Sequence, residues 1–144
     1  MILYVEDDDN DAFLLRHAFK EAGVPQELEV LTSGDAAIEY LKGAGSDQDG
    51  KKNPPPRLLL LDLSMPGKSG FDVLQWVRSQ PGLSYLPAII FTSSHRESDV
   101  EEAYARGANA FLVKPSKPDE LLAMVLAIRA FWIQYNIGAR VGGA

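Results

Sequence analysis

The chain contains no cysteine, only two histidines and no long hydrophobic run. Without cysteine it has no disulfide framework and no thiol chemistry, and its two histidines do not stand as a pair suited to zinc. No apolar stretch is long enough to span a membrane, and Met1 leads into a short strand pattern rather than a signal peptide. We therefore expect a cytoplasmic protein that makes no membrane contact.

Positive charge is also scarce. Lys and Arg number 14 against 20 Asp and Glu, which gives a net charge of -6. A nucleic-acid-binding surface needs clustered positive charge, so we expect no direct contact with nucleic acid. The 144 residues, of which 46% are hydrophobic and 24% charged, suit one globular domain with a proper core.

Short apolar segments alternate with helical patterns along the chain. Strands are predicted at residues 2–5, 28–31, 58–61, 88–91 and 110–113. Helical spacing follows each strand, at residues 9–22, between the Ser33 cap and Gly43, at 71–77, at 100–107, and from 118 or 119 onward. This alternation predicts an α/β fold of flavodoxin-like type: a doubly wound, five-stranded parallel sheet with strand order 2-1-3-4-5 and helices on both faces.

The most informative polar residues directly follow the predicted strands. The run Leu58–Leu61 is typical of a strand buried on both faces, so Asp62 lies where a central strand emerges from the sheet. Ligands bind at this carboxyl edge in open parallel sheets. Other strands bring further polar groups to the same edge, namely Glu6, Asp7, Thr92, Ser93 and Lys114.

Three carboxylates at neighbouring strand ends predict a cation site. Two like charges about 4 Å apart repel by roughly 4 kcal/mol at an effective dielectric constant near 20, so such a cluster either holds extra protons or binds a cation. Oxygen ligands from Glu6, Asp7 and Asp62 suit Mg²⁺. For Asp8 and Asp9 we prefer a structural interpretation, in which they cap the first helix.

Asp62 beside Mg²⁺ is equipped to attack a phosphoryl group and become an aspartyl phosphate. Mg²⁺, the Lys114 ammonium and either the Thr92 hydroxyl or nearby backbone N–H groups would stabilise the new oxygens, and the small Ser93 leaves the approach open. Taken singly, Thr92 is also compatible with an ordinary turn and Lys114 with a surface lysine. Their joint occurrence at the correct strand ends favours the reactive site.

Four segments carry a family resemblance: VEDD, LLLLDLSMPGKSG, IIFTSS and FLVKP. From Ile2 to about Ile133 the chain resembles the receiver domain of two-component response regulators. The resemblance implies that Asp62 is the phosphoacceptor, that Asp7 binds Mg²⁺ directly and that Glu6 acts largely through water. It also implies a set of supporting roles: Ser64 as a metal ligand through its backbone carbonyl, Thr92 as switch hydroxyl, Phe111 as switch aromatic, Lys114 as the phosphate-pairing lysine, and a cis Lys114–Pro115 bond.

Two residues depart from the family pattern. Glu6 stands where many members have Asp, and Phe111 stands where many have Tyr, so its ring offers no hydroxyl. Neither change removes the chemistry. We further expect residues 1-144 to form a single receiver domain with no effector domain, so that its output is a surface of the domain itself.

The last predicted helix is apolar nearly all round, with Arg129 as its only charged or polar side chain between Leu121 and Ile133. We expect it to be covered on two sides. One set of residues should pack on the sheet: Leu121, Leu122, Val125, Ile128 and Trp132. A second set should face a partner, most simply a second copy across a two-fold axis, rather than the small tail at residues 138–144: Met124, Ala127, Phe131 and Tyr135.

Two further segments suggest a sub-family. The long loop at residues 43–56 and the aromatic FWIQY end resemble stand-alone regulators paired with phytochrome-type histidine kinases. The expected partners are therefore a sensor histidine kinase or a phosphotransfer protein, together with a second copy of the chain.

Two other classes of protein share part of this residue set. A Mg²⁺-dependent aspartyl-phosphate hydrolase of the haloacid-dehalogenase type uses similar residues, but commonly has a second Asp two residues after the nucleophile, where this chain has Ser64. A receiver-like interaction module that never takes phosphate is disfavoured by the complete set of acids, hydroxyl and lysine. We expect no enzyme in the ordinary sense, only self-phosphorylation and autodephosphorylation chemistry.

Overall fold

The computed structural model describes residues 1–44 and 53–139. Within them, strands and helices alternate as predicted: β1 (Ile2–Val5), α1 (Asp9–Glu21), β2 (Leu28–Leu31), α2 (Gly34–Lys42), β3 (Leu58–Leu61), α3 (Gly70–Ser79), β4 (Ala88–Thr92), α4 (Glu97–Ala105), β5 (Ala110–Val113) and α5 (Pro118–Ile128). A short 3₁₀ turn, Pro25–Glu27, precedes β2, and a π-helical segment, Arg129–Tyr135, continues α5.

The strands form one parallel sheet in the order β2-β1-β3-β4-β5. The predicted flavodoxin-like topology is confirmed. β1 and β3 are fully buried, as their continuous apolar sequences require, whereas the edge strand β2 is partly exposed. Because parallel strands end at one edge, the segments that follow β1, β3, β4 and β5 lie side by side.

Helices cover both faces of the sheet. One hydrophobic cluster joins Leu59 and Ile90 to residues of α2, α3 and α4, and the other joins Leu60 and Phe91 to residues of α1 and α5. Successive strand residues thus point to opposite clusters, as the period of two in a strand demands. The two clusters hold the strand ends in place around the polar edge.

α5 and its continuation differ in part from the expectation. Leu121, Val125 and Ile128 are buried against the sheet, and Trp132 packs on the same cluster, as predicted. Met124 was expected to face outward, but it also packs on that cluster, whereas Leu122, expected to pack on the sheet, is only half-buried and is not among the residues packed there. α5 lies against α1 as well as the sheet, so its buried stripe is displaced from the one predicted for the sheet alone.

Two predicted segments lie partly outside the described residues: residues 45–52 of the long loop and residues 140–144 of the tail. The described loop ends are tied to α2, since the Asn53 side chain donates to the Tyr40 carbonyl at 3.0 Å and the Tyr40 hydroxyl donates to the Pro54 carbonyl at 2.8 Å. Across the described residues, every helix is too short or too polar to cross a membrane.

Candidate functional site

The predicted site residues come together at the carboxyl edge of the sheet. Glu6 and Asp7 follow β1, Asp62 follows β3, Thr92 ends β4, and Lys114 follows β5. They share a cavity of about 260 Å³. Its lining consists of Glu6, Asp7, Asp8, Asp11, Asp62, Ser64, Thr92, Ser93 and Lys114.

Local structure fixes the position of Asp62. Its backbone N–H donates to the Val5 carbonyl at 3.2 Å, and its Oδ1 accepts a hydrogen bond of 2.9 Å from the Leu63 N–H. α3 begins immediately behind it, where Ser69 and Asp72 form a capping box. A side chain at Gly70 would overlap the Asp62 carbonyl, so only glycine lets α3 start this close to the strand end.

The three acids are close enough to share one cation. Ligand oxygens of Glu6, Asp7 and Asp62 all lie within 4.8 Å of one another. Glu6 is 1% exposed and Asp62 is 4% exposed, and Glu6 Oε2 has no hydrogen-bond partner among the described residues. Such an oxygen-only set with an unpartnered buried carboxylate atom fits a divalent metal ion.

The pKa of Glu6 is raised in a buried site that holds more negative than positive charge. Burial, as the largest cause, and the neighbouring Asp62 carboxylate together raise the pKa of Glu6 to about 9, against the opposing effect of Lys114. A carboxylic acid forced to keep its proton beside a second carboxylate is the arrangement that a bound cation would relieve.

Lys114 is the cation that the structure places in this cavity. Its Nζ lies 2.8 Å from Asp11 Oδ2, 3.1 Å from Glu6 Oε1 and 3.6 Å from Asp62 Oδ1. Burial lowers the pKa of Lys114, but the hydrogen bond to Asp11 and the charges of Asp62 and Glu6 outweigh burial and raise it. Lys114 is therefore a firmly charged ammonium within reach of Asp62.

Thr92 and Phe111, the two residues expected to act as a switch, lie in different surroundings. Thr92 is 1% exposed and lines the cavity, and its Oγ1 accepts from the Ser94 N–H at 3.4 Å. Phe111 is half-buried outside the cavity and packs on the cluster formed with α2, α3 and α4. The Lys114–Pro115 bond expected to be cis is trans in this structure, the isomer that the X–Pro bond intrinsically favours.

A family model described as the response regulator receiver domain matches residues 2–126. The chain belongs to this family. Receiver domains are the phosphoacceptor modules of two-component signalling, which confirms the resemblance inferred from the four sequence segments. The match spans all five strands and most of α5.

Relatives of this receiver domain agree over nearly their whole length. The response regulator Rcp1 of Synechocystis sp. strain PCC 6803 is 35% identical over 134 residues, covering 93% of this chain and 89% of Rcp1. The crystal structure of Mn²⁺-bound Rcp1 has a TM-score of 0.79 at 33% identity, covering 96% of this chain and 97% of that one. The phosphorylated cyanobacterial phytochrome response regulator RcpA has a TM-score of 0.81 at 30% identity, with coverages of 95% and 96%.

One residue of the receiver-domain site was missed by the sequence analysis. Asp11, in the first turn of α1, makes the shortest of the three contacts with Lys114. Asp8 caps this helix as predicted, by accepting from the Asp11 N–H at 2.8 Å. The Asp8 cap could have pointed to Asp11. It starts α1 just after β1, so the third residue of this helix lies at the same edge of the sheet as the site.

Proposed function

We propose that Asp62 accepts a phosphoryl group from a phosphohistidine on a sensor histidine kinase or phosphotransfer protein. In this step an Asp62 oxygen bonds to phosphorus while the P–N bond breaks, and the leaving imidazole takes up a proton. The observation that carries the proposal is a buried Asp62 with two further acids beside it and the Lys114 ammonium at 3.6 Å. The chemistry of the protein is then self-phosphorylation and hydrolysis of its own acyl phosphate, without turnover of an external substrate.

The metal in this proposal is Mg²⁺, held by Glu6, Asp7, Asp62 and the backbone carbonyl of Ser64. The crystallised relative Rcp1 binds Mn²⁺, which supports a divalent cation at the equivalent edge of this chain. A bound Mg²⁺ supplies positive charge that offsets the oxygens of the transferred group. Lys114 neutralises a further oxygen, and the Thr92 hydroxyl donates to another.

The output is a change in the surface made by α4, β5 and α5. Thr92 moves toward the phosphoryl group, and Phe111 turns into the space released. Phe111 pairs with Ile90 of β4 in the sheet register, two residues before Thr92, so movement at the end of β4 reaches the ring directly. This two-position arrangement converts a local charge change into a different surface.

The kinase or phosphotransfer partner docks beside the cavity, on α1. Phe13 and Leu14 are exposed apolar residues of α1, and a groove runs between this helix and residues 115–118 after β5. Phytochrome-type histidine kinases are the favoured donors, since the similar RcpA is a phytochrome response regulator. Because the phosphoryl group derives from such a kinase, we place the protein in the cytoplasm.

A second copy of the chain is the proposed partner of the last helix. Leu126 and Phe131 are exposed there, and so is Tyr135, whereas Trp132 beside them packs inward. An exposed apolar row on a helix whose opposite face packs on the sheet is typical of an interface. This proposal includes no contact with nucleic acid. The signal is therefore passed on through the homodimer surface of the last helix.

Intact-mass analysis with acetyl phosphate and Mg²⁺ tests the phosphoacceptor. The wild-type protein should gain the mass of one phosphoryl group and lose it in hydroxylamine, which cleaves acyl phosphates. Asp62→Asn should gain nothing, whereas Asp9→Asn, which removes an exposed acid nearby, should behave like the wild type. Uptake of a phosphoryl group by Asp62→Asn would remove Asp62 from this role.

A further inference from the structure

The resting position of Lys114 has a feature that phosphate pairing alone does not require. An ammonium has three N–H donors. Two of them reach carboxylates at hydrogen-bond distance, 2.8 Å to Asp11 and 3.1 Å to Glu6. Asp62 Oδ1, at 3.6 Å, is close enough for an ion pair but beyond a good hydrogen bond. Lys114 is therefore hydrogen-bonded on the α1 side of the cavity and only ion-paired with the phosphoacceptor.

Asp11 itself is rigidly placed. It is the third residue of α1, and the Asp8 cap fixes its backbone through the 2.8 Å hydrogen bond. Its carboxylate is about two-thirds buried, with a side-chain exposure of 32%, and ligand oxygens of Asp11, Asp8 and Glu6 lie within 4.8 Å of one another. A negative charge so close to the cavity attracts Lys114 and repels any anion that arrives at Asp62.

We propose that Asp11 is a positioning residue that restrains Lys114 in the unphosphorylated state, so that phosphorylation must draw the ammonium off Asp11. Asp11 then opposes the phosphorylated state twice, by competing for Lys114 and by its own charge. The same charge favours a cation in the neighbouring metal site. This inference rests on the proposed role of Asp62 as phosphoacceptor.

The two effects of Asp11 have opposite signs, which separates them from a general loss of structure. Asp11→Asn should bind beryllium trifluoride, a mimic of the phosphoryl group, about tenfold more tightly at saturating Mg²⁺, because one charged hydrogen bond no longer competes for Lys114. The same variant should bind Mg²⁺ alone about threefold more weakly, because one attractive charge is lost. A damaged fold would weaken both.

Calorimetric titrations with beryllium trifluoride and with Mg²⁺ alone, in about 0.15 M salt, provide the measurement. Asp9→Asn is the matched control, since it removes the same charge from the same first turn of α1, at an exposed position that makes no contact with Lys114 and is screened by solvent. Asp11→Glu restores the charge and should return both affinities toward the wild type. Unchanged or weaker beryllium trifluoride binding by Asp11→Asn, relative to Asp9→Asn, would overturn the inference.

A crystal structure of the wild-type protein with Mg²⁺ and beryllium trifluoride tests the movement without any substitution. Lys114 Nζ should contact a fluoride and lie beyond hydrogen-bond distance of Asp11. If Lys114 keeps its bond to Asp11 while the mimic is bound, the restraint is refuted but the phosphoacceptor role of Asp62 stands. If the wild type binds no mimic and takes no phosphoryl group, the proposed function fails and this inference fails with it.

Discussion

Among single residues, Glu6 determines how the site responds to pH. Its pKa of about 9 means that it keeps its proton at neutral pH when no metal is bound. The folded state therefore binds one more proton than the unfolded chain between the ordinary carboxyl pKa and about pH 9. Since stability falls with pH wherever the folded state holds more protons, Glu6 lowers the metal-free stability progressively across this window.

A divalent cation must displace that proton, so we expect Mg²⁺ affinity to rise with pH. Between about pH 7 and 9 the gain should approach tenfold per pH unit, because a single proton competes with the metal. Titration calorimetry in buffers of different ionisation enthalpy measures the proton released. Glu6→Gln should bind Mg²⁺ without this proton release, and a wild-type affinity that does not vary with pH would contradict the expectation.

Between elements, Arg78 of α3 is the main polar connection on the side of the sheet away from α1. Its Nε donates to the Gly107 carbonyl at 2.9 Å, and its Nη1 donates to the carbonyls of Ser84 and Leu86 at 3.1 and 2.7 Å. Its Nη2 donates to Asn109 Oδ1 at 2.9 Å. One side chain thus ties α3 to the loops before β4 and β5, the two strands that carry Thr92 and Lys114.

Replacing Arg78 with Met keeps much of the packing but removes every donor. We expect Arg78→Met to lower the free energy of unfolding by about 3 kcal/mol, because several partly buried acceptors lose a charged partner. Urea denaturation measures the change. Arg96→Met, at an exposed position, should change it by less than about 0.5 kcal/mol, and a similar small change for Arg78→Met would show that the connection is not stabilising.

The elements themselves were largely predictable, because each is encoded locally. The run Leu58–Leu61 marks a central strand by continuous burial, and Ser33 caps α2 as predicted by accepting from the Ala36 N–H at 3.0 Å. Contacts between elements were not predictable in the same way. Met124 was assigned to the wrong face because the apolar pattern of α5 does not reveal that this helix also packs on α1.

At the scale of the whole molecule, the site residues that strand order brings together were predictable. A residue that joins the site through a long-range side-chain pair was missed. Glu6, Asp62 and Lys114 converge because parallel strands end at one edge. The Asp11–Lys114 pair joins residues 103 positions apart, and no local pattern announces it. Arg129, the single charged side chain between Leu121 and Ile133, is likewise explained only by its two hydrogen bonds to Glu27, at 2.8 and 3.2 Å.

The remaining prediction concerns the surface of the whole domain: we expect a homodimer that forms through the last helix. Phe131 is 56% exposed, and Leu126 is exposed nearby. Each side of a stable interface typically buries about 800 Å², with aromatic residues at its centre, so a charge there should be strongly disruptive. We expect Phe131→Glu to convert the wild-type dimer to a monomer without loss of phosphoryl uptake at Asp62.

Size-exclusion chromatography with light scattering, with and without beryllium trifluoride, measures the association. Tyr85→Glu is the matched control, because Tyr85 is also an exposed aromatic residue, 79% exposed against 56% for Phe131, and lies in the loop between α3 and β4. It should leave the dimer intact, which would show that any loss in Phe131→Glu comes from this helix and not from added charge. A wild-type monomer under both conditions would refute the interface, because the exposed apolar row on the last helix would then have no second copy to cover it.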